Sequence, residues 1–154
     1  MGARRVAVLG VGNLLLGDEG VGVRCVERLE RDHTLPGGIA CLDGGTSTHE
    51  LLADLEDLDL LIIVDALESG AAPGSLLRLE GAAIPSAFSN KLSPHQHGIN
   101  DLLATLKLLG RAPEHVVLLG VEPQRIGLSM ELSPAVAAAM DRLCAQVVKE
   151  VLPR

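Results

Sequence analysis

The sequence predicts an α/β protein, a three-layer domain in which a twisted, mostly parallel sheet of five strands lies between helices on both faces. Strand-like apolar runs alternate with helix-like segments along the chain, which favours a parallel sheet. The run Leu58–Asp65 is apolar on both faces, as a central parallel strand is. With 154 residues, 47% hydrophobic and 21% charged, the chain can bury one core. We therefore predict a single domain over residues 1–154.

Apolar runs bounded by glycines and polar turns predict the individual elements. The predicted strands are 5–10, 39–43, 58–65, 74–80 and 115–121, with 74–80 expected at an edge. The predicted helices are about 18–32, 47–56, 94–109 and 134–151. Ser93-Pro94 and Ser133-Pro134 each place a capping serine before a proline at the first helical position. The long irregular stretch 81–92 is expected to be a functional loop.

Composition excludes two classes of partner. The chain has one Phe and no Trp or Tyr, so it lacks the aromatic platform on which single-stranded nucleic acid stacks. Its net charge of −7 opposes binding of a polyanion. No apolar run is long enough to cross a membrane. We expect a cytoplasmic monomer that binds neither nucleic acid nor membrane.

The three cysteines, Cys25, Cys41 and Cys144, are far apart in the sequence and form no CxxC pair. This spacing is typical of reduced, mostly buried thiols in a cytosolic protein. A catalytic thiol is the less favoured interpretation.

The first strand leads into a glycine-rich stretch, Gly10 to Gly22, that invites comparison with phosphate-binding loops. A dinucleotide fingerprint requires a third glycine where Leu15 stands, and no Gly-Lys-Ser/Thr follows. The adjacent carboxylates of Asp18 and Glu19 would repel a phosphate and attract a cation. The stretch therefore predicts a metal-binding or proton-handling loop.

Polar side chains follow the ends of several predicted strands. Glu19 follows strand 1, Asp43 ends strand 2, Asp65 ends strand 3, and His95 opens the helix after strand 4. Ligands of such sheets bind beyond the carboxyl ends of the strands, so these residues are expected at one edge. Carboxylates with a histidine suit metal binding or activation of water by a carboxylate.

Structural roles compete with these functional ones. Acidic side chains in the first turn of a helix stabilise the helix by interacting with its dipole. This is the expected role of Asp18 and an alternative role for Glu19. Asp43 precedes Gly44-Gly45, a pattern typical of an Asx turn. His97 could replace His95, and either could be a solvated residue of a first turn.

Several motifs together resemble those of the nickel–iron hydrogenase maturation endopeptidases. They occur in the family's order across essentially the whole chain. The motifs are Gly10 to Gly22, Asp43-Gly44-Gly45-Thr46, Ile62-Ile63-Val64-Asp65-Ala66, Ser93-Pro94-His95-Gln96, Gly120-Val121-Glu122-Pro123 and Leu132-Ser133-Pro134.

The resemblance implies an endopeptidase that removes a carboxyl-terminal extension from the large-subunit precursor of a nickel–iron hydrogenase once nickel is inserted. It assigns metal contact to Glu19, Asp65 and His95, with the nickel carried by the substrate. Asp43 matches an aspartate of the family's Asp-Gly-Gly-Thr motif. The chain departs from many relatives at Ser47-Thr48-His49, which bears on the precursor that is recognised.

Two mechanisms stay open, since attack by water could be promoted by a carboxylate, Asp43 or Asp65, or by polarisation at the metal. Glu19 is included with these two among the catalytic residues. A non-proteolytic metal-binding maturation factor on the same scaffold is the main alternative. A nucleotide-binding module is disfavoured by the missing glycine.

Overall fold

The computed structural model describes residues 4–32, 34–45, 51–85 and 94–153, and gives the backbone alone for residues 94–97. The predicted start of the second helix, most of the loop 81–92 and the Ser93 cap lie outside these residues.

Within the described residues, five strands form one sheet in the order β2-β1-β3-β5-β4. Their bounds are β1 Val6–Val11, β2 Ala40–Gly45, β3 Leu60–Ala66, β4 Leu76–Glu80 and β5 His115–Val121. Neighbouring strands are parallel except for β4, which pairs antiparallel with β5 at an edge. The predicted sheet and its edge strand are confirmed.

The helices begin with a short 3-10 helix, Gly17–Gly20, which is followed by α1, Val21–Arg31. The others are α2 Leu52–Leu55, α3 Pro94–Leu108 and α4 Pro134–Val151. Helical structure begins near Asp18, as predicted, but its first turn is not α-helical, because the Glu19 N–H donates to the carbonyl of Leu16, three residues back. That spacing closes a 3-10 turn, and the α-helix starts only after it.

The sheet separates two apolar clusters, as a three-layer fold requires. On one face α1 and α4 bury Val26, Leu29 and Leu143 against alternate strand residues such as Ile62. On the other face Leu55 of α2 and Leu102 of α3 pack against the intervening strand residues. Helices therefore cover both faces, and the central strands β1 and β3 are buried along their whole length.

The order of the strands places the switch point of the sheet between β1 and β3, and we refer to the space beyond the carboxyl ends of these two strands as the crevice. The chain leaves β1 toward β2 on one side, and leaves β3 toward β4 and β5 on the other side. At such a switch point the connecting loops diverge, which opens a ligand site beyond the carboxyl ends of the two strands. Glu19 follows one of these strands and Asp65 lies near the end of the other.

Candidate active site

Gly12 brings the first loop into contact with the end of β3. Its φ of +128° is a conformation that L side chains rarely adopt. A Cβ atom at Gly12 would lie 1.8 Å from the carbonyl oxygen of Glu19 and 3.6 Å from Oδ1 of Asp65. Only glycine allows this approach, which folds the Glu19 turn over the Asp65 carboxylate. The backbone of Glu19 and the carboxylate of Asp65 are thus close in space.

Asp65 is fully buried, and its Oδ1 accepts a hydrogen bond of 2.8 Å from the N–H of Ala66. Side chains alternate along a strand, so Asp65 lies on the same face as Leu61 and Ile63. Those residues belong to the apolar cluster beneath α3. The carboxylate therefore lies at the top of the core, on the face that α3 covers.

The backbone of His95 lies in the first turn of α3, and its side chain is outside the described residues. The other end of α3 is near the start of β3, since the N–H of Asp57 donates to the carbonyl of Arg111. A helix of 15 residues is about 22 Å long, so α3 begins near the carboxyl ends of the strands. His95 thus lies in the first turn of α3, the helix that covers the face of the sheet to which Asp65 belongs.

Asp43 is exposed, and its Oδ1 accepts a hydrogen bond of 2.8 Å from the N–H of Gly45. This is the Asx turn that the sequence offered as a structural role. In register Asp43 pairs with Gly10, which faces Gly22 and Val26 of α1. Asp43 therefore points toward the α1 face of the sheet, whereas Asp65 points toward the α3 face.

Asp18 joins the first loop to the segment after β5. It is fully buried, and its carboxylate accepts hydrogen bonds from the N–H groups of Gln124, Arg125 and Ser133 and from the Ser133 hydroxyl, at 2.7–2.9 Å. Burial raises the pKa of Asp18, but these hydrogen bonds outweigh it and leave the pKa below its ordinary value. Asp18 is thus more than the first-turn acid that the sequence predicts.

The same bonds correct the expected role of Ser133. It occupies the N-cap position of α4, as predicted, with proline following it. Its side chain makes no capping bond, because the hydroxyl donates to Asp18. No local spacing reveals this pair, since 115 residues separate the two positions.

Glu122, which directly follows β5, is also buried, and its carboxylate is hydrogen-bonded. Its carboxylate accepts hydrogen bonds from the N–H of Ser69, at 2.9 and 3.2 Å, and from the Ser69 hydroxyl, at 3.1 Å. It fixes the loop between β3 and β4. The two residues are 53 positions apart, so no local pattern in the sequence shows this pair.

The three cysteines are free thiols. Cys25 and Cys144 are buried between α1 and α4, with their sulfur atoms 3.8 Å apart. The hydrogen bond with Cys144, together with burial, raises the pKa of Cys25 above its ordinary value. Burial raises the pKa of Cys41 to about 11. Neither Cys25 nor Cys41 is a thiolate at neutral pH, which disfavours them as nucleophiles.

Two features of the described residues bear on ligands. Among the side chains that are described, which exclude His95, no group of three or more His, Cys, Asp or Glu could hold a metal ion. A groove of about 1230 Å³ lies at the amino ends of the strands and is lined by residues such as Asp59, Lys107 and His115. It contains none of the predicted site residues.

In the parts of the chain that are described, no helix is both long and apolar enough to span a membrane.

Known proteins resemble this chain over nearly its whole length. Residues 23–150 match the family model described as hydrogenase maturation protease. The Hydrogenase 2 maturation protease of Escherichia coli K12 is 44% identical over 145 residues, which cover 94% of this chain and 88% of that protein. The HupD hydrogenase expression/formation protein of Rhodobacter capsulatus is 42% identical, over 96% of this chain and 71% of its own.

Solved structures give the same result. The hydrogenase maturating endopeptidase HybD from E. coli superposes with a TM-score of 0.89 at 42% identity, over 96% of this chain and 91% of its own. The [NiFe] hydrogenase maturation protease HybD from Thermococcus kodakarensis has a TM-score of 0.81 at 27% identity, over 96% and 99%. On these grounds the chain belongs to the hydrogenase maturation protease family.

Proposed function

We propose that this protein is the endopeptidase that removes the carboxyl-terminal extension of a nickel–iron hydrogenase large-subunit precursor after nickel insertion. We place this reaction in the cytoplasm. Membership of the maturation protease family supports the activity. The observation that carries the site is the contact at Gly12, which folds the Glu19 turn over the buried carboxylate of Asp65.

In this proposal the nickel arrives with the substrate, and Glu19, Asp65 and His95 complete its coordination. Two carboxylates and one imidazole suit a borderline metal such as nickel, and three ligands leave positions for those of the precursor. The position of the crevice supports this assignment, because β3 carries Asp65 and the loop that follows β1 leads to Glu19. The metal would then report that the precursor is loaded and hold the scissile bond at the crevice.

Cleavage requires a water molecule to attack the scissile carbonyl carbon. The proton of that water passes to a base and then to the departing amine as the peptide bond breaks. We assign the base to a carboxylate, Asp43 or Asp65, with polarisation by the nickel of the substrate as the competing source of activation. Asp43→Asn tests whether Asp43 is the base. A large fall in kcat supports Asp43 as the base, and unchanged kcat excludes it.

The decisive experiment incubates the purified protein with nickel-loaded and nickel-free precursor and measures the mass of the large subunit. We expect the loaded precursor alone to lose its extension. Binding of loaded precursor without any shortening would instead support a non-proteolytic maturation factor.

The site assignment is tested by Asp65→Asn and His95→Ala. Each is expected to abolish processing while the circular dichroism spectrum and cooperative unfolding stay native-like. Matched controls are Asp54→Asn on the exposed side of α2 and His115→Ala at the start of β5, both away from the crevice. Normal processing by the Asp65 and His95 variants would refute the assignment.

A further inference from the structure

Four large apolar side chains are exposed around the Glu19 turn. Their exposed fractions are 55% for Leu15, 44% for Ile126, 91% for Leu128 and 62% for Met130. They are four of the seven large apolar residues that are exposed in the described part of the chain. We refer to these four residues as the apolar rim. Such clustering beside a site marks an interaction surface more often than chance exposure does.

The backbone holds the two loops of the rim together. The N–H of Gly17 donates to the carbonyl of Ser129 at 2.7 Å, and the N–H of Ser129 donates to the carbonyl of Leu15 at 3.0 Å. The buried Asp18 fastens the same two loops through four further hydrogen bonds. The rim is therefore fixed in position beside Glu19, the next residue in the chain after Asp18.

The sequence of the rim suits contact with an apolar surface. Ile126, Leu128 and Met130 stand at every second position, with the small residues Gly127 and Ser129 between them. Methionine side chains adapt to varied apolar partners. Within the described residues, the four side chains of the rim belong to neither of the two apolar clusters on the faces of the sheet.

We propose that the apolar rim binds an apolar segment of the large-subunit precursor next to the extension that is removed. This inference rests on the proposed function. The rim is continuous with the candidate site, because its two loops are joined through Gly17 and Asp18, directly before Glu19. A second copy of the chain is a poorer occupant, because it would block the crevice. Four side chains also fall short of the roughly 20 to 30 residues per side of a stable interface.

The test measures kcat and KM for nickel-loaded precursor with the double variant Leu128→Ser/Met130→Ser. We expect KM to rise about tenfold or more while kcat stays within about twofold, because docking is weakened and the reacting groups are untouched. The matched control is Leu108→Ser, which changes an equally exposed leucine at the far end of α3. It should leave both constants unchanged.

The outcomes separate the two proposals. If the wild-type protein does not shorten the precursor, the proposed function fails. If it does and the double variant has the wild-type KM, only the docking surface is refuted. A fall in kcat without a rise in KM would also refute it, because it would place the rim in the chemical step. A wild-type dimer that the double variant converts to monomer would assign the rim to self-association instead.

Discussion

Adjacent residues of the same chemical type have different structural roles in this protein. Asp18 and Glu19 are adjacent acids, yet one is buried with four hydrogen bonds and the other is half-buried at the crevice. Burial of a carboxylate is costly unless hydrogen bonds or a charge partner replace its lost hydration. Asp18 meets that condition by holding the segment after β5, and the turn that presents Glu19 depends on it.

Asp18→Asn should therefore lower the free energy of unfolding by about 3 kcal/mol at neutral pH, since an amide nitrogen would face N–H or O–H donors. Urea denaturation measures this loss. The matched variant Ser133→Ala removes one donor and leaves the carboxylate with three, so its loss should be about 1 kcal/mol. Equal stability of Asp18→Asn and the wild type would contradict the bonded role.

The Asp18 carboxylate also makes the stability of the folded protein depend on pH. The folded-state pKa of Asp18 lies below its ordinary value of 3.8, so its stabilisation is complete well above pH 3.8 and is lost as the pH falls through the folded-state pKa. The stability difference between the wild type and Asp18→Asn should shrink as the pH falls below 3.8. A difference that grew toward acid pH would show that the sign of the shift is wrong.

Among the elements, α1 packs directly on the backbone of the sheet, because glycines occupy the points of contact. A Cβ at Gly22 would lie 2.0 Å from the carbonyl oxygen of Val64 and 2.6 Å from that of Val11. A Cβ at Gly10 would lie 2.3 Å from the carbonyl oxygen of Gly22. Glycines that resembled a phosphate-binding loop in sequence thus allow the first turn of α1 to rest on β1 and β3.

Gly22→Ala sets two opposing effects against each other. Alanine favours a helix over glycine by about 1 kcal/mol, whereas a clash with two backbone carbonyls costs about 3 kcal/mol or more. We expect a net loss of about 2 kcal/mol, measured as a lower denaturation midpoint, and reduced processing because the Glu19 turn moves with α1. Gly37→Ala, where nothing lies within 4 Å, should change stability by less than about 0.5 kcal/mol.

At the scale of the whole molecule, the sheet separates two apolar clusters and gathers the ends of its strands at one edge. Of the seven large apolar side chains that are exposed in the described residues, the four of the rim lie near that edge. We expect the purified protein to be a monomer of 16.1 kDa, because its net charge of −7 opposes self-association and four side chains cannot hold a stable dimer. Light scattering coupled to gel filtration measures the mass, and a concentration-independent dimer would contradict this expectation.

The sequence by itself determined the alternation of elements, the mostly parallel sheet with β4 at its edge, and the expectation that polar residues follow the carboxyl ends of the strands. Those features depend on hydrophobic periodicity, on turn residues and on the rule that parallel strands share an end, all of which are local or topological. Asp65 could be singled out because a carboxylate that ends an apolar run must lie at the top of the core.

Only the tertiary structure decided which acids are bonded and which side of the sheet they face. Asp18 accepts hydrogen bonds from Ser133, more than a hundred residues away, and Glu122 accepts them from Ser69. Hydrogen-bond partners across such separations leave no periodic trace in a sequence, because they depend on how the loops pack. For the same physical reason, the approach of Gly12 to Glu19 and Asp65 could be seen only once β1 and β3 lay side by side.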